Sequence, residues 1–347
     1  MWAMKKIRWG IMGTGNIAGQ FCGGVRSSQR NVLQAVGSRS MESAAKFAAS
    51  HEIPDAFGSY GELVADPNVD AIYISLPNSM HHEWTLESLR AGKHVLCEKP
   101  LAANAQQAEE MFDAAKTAGR VLVEAFMYRS NPLTLAVADA VKSGVIGQLR
   151  VIRTCFCFST NRLAGNIRFS ADLAGGALMD VGCYCVNFSR YIAGAEPTVI
   201  HAAGHLHSSG VDEVASGLMK FPSGVTATFS CGMLLHADNI TVLAGTNGYI
   251  EIPIPWKPPP NNATFVICQS VPPRQDKPGG GPVPPPGSGP RDVRTVPIHG
   301  TLYSIEADDF AATVLDGQPP RISRQDSIGN MRVLDEMRRQ VGVRMDS

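Results

Sequence analysis

The sequence predicts an α/β protein in two parts: a doubly wound parallel sheet at the N-terminus, then an α+β domain with a large, mostly antiparallel open sheet. Three observations predict it. Short apolar runs alternate with helical patterns over the first 125 residues, which implies parallel strands joined by right-handed crossovers. Beyond residue 125 the runs lengthen and alternate, as in Val225–Cys231, where apolar residues take turns with Thr226, Thr228 and Ser230; that is the pattern of a sheet with one less apolar face. The length, 347 residues, accommodates two domains.

In order, Ile7–Met12 reads as a strand, Ile17–Val25 as a helix, Val32–Gly37 as a strand and Met41–Ser50 as an alanine-rich helix capped by Ser38 or Ser40. Ala71–Leu76 is a β-branched buried run. Glu83–Ala91 is a helix stopped by Gly92, and His94–Cys97 a strand. Asn104 caps a helix over Ala105–Ala118, and Val121–Ala125 closes the set. A helix near Leu133–Ser143 then leads to strands at Leu149–Phe158, Val199–His207, Val214–Phe221, Val225–Leu235 and Ile240–Ala244. A helix at Gly176–Ala193 interrupts them, and Tyr303–Leu315 and Gln325–Val341 end the chain as helices. The domains are expected at 1–125 and 126–347. Within the second, the Pro/Gly-rich stretch 271–290 has too few apolar side chains to fold alone and reads as a mobile loop between two edge strands.

Composition narrows the function classes. Lys plus Arg and Asp plus Glu are 31 each, so no basic footprint points to nucleic acid or a membrane surface. No run approaches the ~18 apolar residues of a membrane helix, and Ile7–Met12 is too short for a signal peptide; a cytoplasmic protein is expected. The eight cysteines contain no CxxC, and the pairs Cys155/Cys157 and Cys183/Cys185 read as buried reduced thiols. His205 and His207 share a strand face without a third ligand, and no metal is expected.

Gly13-Thr14-Gly15-Asn16-Ile17-Ala18 lies between the first strand and the first helix. Gly13 permits the tight turn, Gly15 lets backbone approach a pyrophosphate, and Ala18 takes the small packing position of a Rossmann dinucleotide site. The helix start beyond it offers N–H groups to phosphate. The second strand ends in Gly37-Ser38-Arg39-Ser40, with no acid to accept from ribose hydroxyls. Arg39 suits a 2′-phosphate, with Ser38 and Ser40 adding donors, so the expected cofactor is NADP, with NAD second.

Glu98 and Lys99 follow a buried strand at the edge where ligands bind in this architecture. A charge pair there is costly unless paired or functional; Lys99 suits stabilisation of a substrate alkoxide, the alternative being a Glu98–Lys99 salt bridge. Gly175-Gly176 leads into a helix bearing Asp180 and Tyr184, four residues apart on one face. With Lys99 nearby, the phenol would serve as acid or base; otherwise Asp180 is a cap and Tyr184 is core. His81 is expected beside the cofactor or as a helix-start residue, and Arg168 near nicotinamide or substrate or at the surface.

Gly-Thr-Gly-Asn-Ile-Ala, Pro77-Asn78-Ser79-Met80-His81, the block Ala91-Gly92-Lys93-His94-Val95-Leu96-Cys97-Glu98-Lys99-Pro100 and Gly-Gly-Ala-Leu-Met-Asp occur in order. With them the chain resembles the glucose–fructose oxidoreductase/inositol dehydrogenase (Gfo/Idh/MocA) family over nearly its whole length. The resemblance implies hydride transfer between a nicotinamide and a sugar or cyclic diol. It places the family's lysine on Lys99 and its helix aspartate on Asp180, and Tyr184 stands where most members have histidine. That departure resembles the branch of dimeric dihydrodiol dehydrogenase, NADP-dependent xylose dehydrogenase and glucose–fructose oxidoreductase, and Glu124-Ala125-Phe126-Met127-Tyr128-Arg129 and Gly210-Val211-Asp212-Glu213 resemble its dihydrodiol dehydrogenase members. It implies cofactor contacts at Gly13, Gly15, Asn16, Ile17, Ser38, Arg39, Ser40, Leu76, Pro77, Asn78, His81, Glu98, Lys99 and Arg168. Substrate contacts are implied at Lys99, Met127, Arg129, Asp180 and Tyr184, and a homodimer or homotetramer through the C-terminal sheet. Two other activities remain open: a glycosidase that oxidises and re-reduces its sugar on tightly held nicotinamide, and a redox-silent NADP-binding regulator.

Overall fold

The computed structural model describes residues 5–270 and 289–344. Of the stretch 271–290, only the last two positions fall inside that range. The first sheet is parallel and six-stranded, built from β1 (Ile7–Met12), β2 (Asn31–Gly37), β3 (Asp55–Phe57), β4 (Ala71–Ile74), β5 (His94–Glu98) and β6 (Leu122–Ala125). Its order is β3-β2-β1-β4-β5-β6, doubly wound with the reversal between β1 and β4. Ligands bind at such a reversal, outside the carboxyl ends of the strands. Tryptophan is rarely buried whole, yet Trp9 in the middle of β1 is, because its indole N–H reaches Asn31 Oδ1 at 2.8 Å. The connecting helices are α1 (Asn16–Ser27), α2 (Met41–His51), α3 (Tyr60–Ala65), α4 (His81–Arg90) and α5 (Ala105–Ala118). Ser40 caps α2 by accepting from Ser43 N–H, and Asn104 caps α5 by accepting from Gln107 N–H, the positions expected of each.

After α6 (Pro132–Lys142) comes the second sheet: β7 (Leu149–Cys157), β8 (Val199–Leu206), β9 (Asp212–Lys220), β10 (Thr226–Gly232), β11 (Thr241–Gly245), β12 (Gly248–Ile252), β13 (Asn262–Gln269) and β14 (Arg291–Pro297). The order is β14-β13-β12-β11-β7-β10-β9-β8; only β7 and β10 run parallel. One face packs on α7 (Cys183–Ala193) and α9 (Arg324–Val341), while α8 (Leu302–Asp316) returns to pack on α1. The other face exposes Val151, Leu218 and Val293.

Three parts of the fold depart from the pattern reading. The stretch 52–70 holds β3 and α3, too short to show periodicity. β12, β13 and β14 were not picked out, since β13 reads as one apolar run and β14 is almost wholly exposed. β14 lies at the edge of the second sheet and β13 beside it; the stretch 271–288, expected as a mobile loop, lies outside the described residues. The helix at Gly176–Ala193 opens instead with a π-helical turn over Leu178–Gly182 before α7 begins. Such turns add a residue to the ladder and gather at functional sites.

Candidate active site

Gly13 follows β1 with φ of 104°, a backbone conformation open to glycine, and its N–H reaches Gly37 O at 3.0 Å. A Cβ at Gly15 would meet nothing within 4 Å, so the turn faces open space. The start of α1 has no side-chain cap and no acid in its first turn. A helix start left with free N–H groups and no competing carboxylate fits the pyrophosphate of a dinucleotide. At the end of β2, Ser38 is buried while Arg39 and Ser40 are exposed, and Ser40 is committed to capping α2.

A cavity of about 390 Å³ opens between the ends of β4 and β5 and the π-helical turn. Leu76 and Asn78 line it from the turn after β4, Ile17 from α1, and Glu98 and Lys99 from the end of β5. Met127 enters from the turn after β6, and Arg168, Asp180 and Tyr184 from the second domain. Sequence spacing alone had left Asp180 and Tyr184 between two assignments; both reach the cavity.

The polar groups form two systems. Lys99 Nζ donates to Asp180 O at 2.7 Å and to Asp180 Oδ1 at 3.4 Å, while Arg168 Nε donates to Asp180 Oδ2 at 2.6 Å. Burial would raise the Asp180 carboxyl, but the two cations hold it below the usual carboxylate range. Burial would likewise lower Lys99, but Asp180 above all keeps it raised and charged. Glu98 is not Lys99's salt-bridge partner in this arrangement; the Tyr73 hydroxyl donates to it. Burial pushes the Glu98 carboxyl up against the pull of Lys99.

Tyr184 stands next to these groups on α7. Its hydroxyl donates to Met127 Sδ at 3.4 Å, and Lys99 Nζ lies 4.9 Å above its ring centroid. Burial raises the phenol well above its ordinary value, with Glu98 adding to the shift. It therefore holds its proton at neutral pH. Phe156 and Phe126 meet the ring edge-on at 5.2 Å, fixing its plane.

Of the expected site residues, Gly13, Gly15, Asn16, Ser38, Arg39, Ser40, Pro77, His81 and Arg129 lie outside the cavity lining, and His81 and Arg129 are taken up by core partners. His81 is fully buried under it, with Nδ1 3.0 Å from Pro100 O and Nε2 2.9 Å from Leu76 O. Burial holds its pKa below the usual imidazole value. It ties the turn after β4 to the turn after β5 rather than facing a ligand. Arg129 is also buried, with its guanidinium donating to Asn187 Oδ1 at 3.0 Å and to Asp326 Oδ2 at 3.0 Å, and stacked on Tyr191. A third bond, to Arg321 O at 3.2 Å, completes a set of core partners that turns the guanidinium away from the cavity. Arg129→Met is therefore expected to cost about 3 kcal/mol of stability, the scale of breaking a buried pair, and to leave the substrate KM of the folded enzyme unchanged. Thermal unfolding and steady-state kinetics check both halves.

Sequence reasoning missed Phe156, Phe158, Lys257 and Tyr303, which also line the cavity. Lys257 is held below its usual pKa by burial and by repulsion from Lys99. Its signal was present: Trp256-Lys257 is set among Pro253, Pro255 and Pro258, a tryptophan in a loop with little else to bury. Among the described residues no group of three or more His, Cys, Asp or Glu is arranged to hold a metal ion, and no helix is long and apolar enough to cross a membrane.

Known proteins resemble this chain over most of its length. The profile of an oxidoreductase family with an NAD-binding Rossmann fold matches residues 7–126, and that of the GFO/IDH/MocA C-terminal domain matches residues 134–251. Trans-1,2-dihydrobenzene-1,2-diol dehydrogenase of Mus musculus is 39% identical over 256 residues, covering 73% of this chain and 76% of its own. D-xylose 1-dehydrogenase (NADP(+)) 2 of Haloferax volcanii is 33% identical, covering 95% of each. The 3-ketoreductase KijD10 from Actinomadura kijaniata, solved with NADP and TDP-benzene, superposes with a TM-score of 0.84 at 30% identity, over 97% of this chain and 98% of that one. With both halves matched and relatives alike over nearly the full length, the chain belongs to the Gfo/Idh/MocA family of oxidoreductases, dehydrogenases and reductases built on an NAD-binding Rossmann fold.

Proposed function

We propose that the protein is an NADP(H)-dependent oxidoreductase that moves a hydride between nicotinamide and the hydroxyl or carbonyl carbon of a sugar, a related polyol or a cyclic trans-diol. The observation that carries this reading is the meeting of Lys99, Asp180 and Tyr184 in one cavity at the sheet reversal. The glycine turn and the open start of α1 lie at the same edge. When bound, the nicotinamide supplies the hydride or accepts it. Tyr184 gives its proton to the carbonyl oxygen during reduction and takes it back during oxidation. Lys99 holds positive charge where the alkoxide develops, and Asp180 with Arg168 fixes that ammonium in place. Met127 and Phe156 close the apolar side of the site.

Relatives named for a trans-diol and for xylose, and a neighbour solved with NADP, support the substrate class and the cofactor. In this reading 1–125 binds NADP, and 126–347 carries substrate and pairs two or more copies through the open sheet face. All eight cysteines are unpaired, which fits a cytoplasmic setting. Aldoses, anhydro-sugars and cyclic diols supplied with NADP or NADPH test the function. Absorbance of reduced nicotinamide is expected to change with at least one of them; a bond cleaved with no net change would favour the glycosidase reading.

Arg39 carries the choice of cofactor. Arg39→Ala is expected to weaken NADP binding about tenfold or more, the scale of a charge-assisted hydrogen bond, and to leave NAD binding nearly unchanged. Calorimetric titration with both nucleotides checks this, and an unaltered ratio would refute the role.

A further inference from the structure

The helix that bears Asp180 and Tyr184 is held at its start by a carboxylate from another element. Asp212 opens β9 and is fully buried. Its Oδ2 accepts from Leu178 N–H at 2.7 Å, one of the N–H groups that a helix start leaves unpartnered. Its Oδ1 is buried without a hydrogen-bond partner among the described residues. Gly176 has φ of 115°, and a Cβ there would run into Asp212 Oδ1, so the glycine is what lets the carboxylate approach. The same knot holds Arg168, since Gly176 N–H donates to Arg168 O at 2.9 Å while Asp180 N–H donates to Gly176 O at 2.9 Å.

We propose that Asp212 is a positioning residue for catalysis: its carboxylate sets the π-helical turn that aims Asp180 at Lys99 and Tyr184 at the cavity. The inference rests on the oxidoreductase reading. An anion at a helix start is favoured by the helix dipole and by the free N–H groups. A neutral acid accepts those hydrogen bonds more weakly.

The titration of this group makes the role measurable. Burial pushes the Asp212 carboxyl up to about 7, against the pull of its N–H donors and of Arg338. Arg338 on α9 and Cys231 on β10 are the titratable groups that sense it; Leu206 faces it from β8, and the helix start presents only N–H groups. Wild-type kcat is therefore expected to fall as pH drops through about 7, with KM for NADPH unchanged.

Asp212→Asn keeps the shape and removes the ionisation. It is expected to lower kcat by up to about tenfold, the upper scale of a partly buried charge at a helix start, and to abolish the inflection near 7. The sign for stability is opposite. A carboxyl raised in the fold costs stability once pH exceeds its ordinary value, so at pH 8 the Asn variant should melt no lower than wild type. A purely structural residue would lower Tm and leave the pH profile of the folded enzyme alone. Asp212→Ser, which retains one short acceptor, serves if the Asn variant does not fold. Hydrogen exchange over residues 176–184 reads the anchor without turnover: corrected for intrinsic rate, protection in the wild type should be lower at pH 6 than at pH 8. Equal protection at both, or an Asn variant with wild-type kcat and profile, overturns the inference. A wild type inactive on every substrate would sink the oxidoreductase reading alone, since exchange still decides this one.

Discussion

Lys99→Met should lower kcat about 10³-fold while leaving the Kd for NADPH within about twofold, the size of effect seen when a preorganised charge facing a developing oxyanion is removed. The geometry explains why the loss falls on turnover. Lys99 lies at the end of β5, with its ammonium spent on Asp180 O and Oδ1 rather than on the glycine turn that fits pyrophosphate. Methionine keeps the stem that crosses the Tyr184 ring and removes only the charge. Asp180 keeps Arg168 at 2.6 Å, so its carboxylate is not left bare and the variant should fold. Steady-state kinetics in both directions, with NADPH binding followed by fluorescence, make the measurement. Turnover within tenfold of wild type would remove Lys99 from the chemistry.

How much of this site could be read from the chain depended on the kind of constraint each residue answers. Gly13, Gly15 and Lys99 were legible because position alone selects them: a turn after a buried strand, or a charge at the ligand-binding edge. Tyr184 was visible through its four-residue spacing from Asp180, although a π-helical turn intervenes. Phe158 was not legible, because nothing local ties it to the cavity, and for Lys257 the flanking Trp256 and prolines mark an unusual loop but not its place; both positions depend on how the second sheet is laid against the first. Arg129 misled for the converse reason. It sits two residues from Met127, which does line the cavity, but the 3₁₀ turn at Met127–Ser130 sends its side chain into the core. Short range separates neighbours in sequence, and tertiary packing decides which of them meets the ligand.

Tyr184→Phe is expected to cost about 10³-fold in kcat, within the span general acids and bases contribute, and its pH signature separates it from Lys99→Met. Burial raises the phenol well above its ordinary pKa. In reduction it donates a proton it already holds, so the wild-type rate should show no dependence on its ionisation across neutral pH. In oxidation it must first be unprotonated, and that fraction grows tenfold per pH unit below its pKa, so the rate should climb steadily through the alkaline range. Phenylalanine removes the acid and the base together: the reduction rate should fall at every pH, and the alkaline climb in oxidation should vanish. The ring edges of Phe126 and Phe156 pack equally well on phenylalanine, and among the described residues the hydrogen bond lost is the weak one to Met127 Sδ, so Tm should stay within a few degrees. A Phe variant that keeps the climb would move the base elsewhere, and Lys257, already depressed by burial and by Lys99 and set in the same cavity, is the group to substitute next.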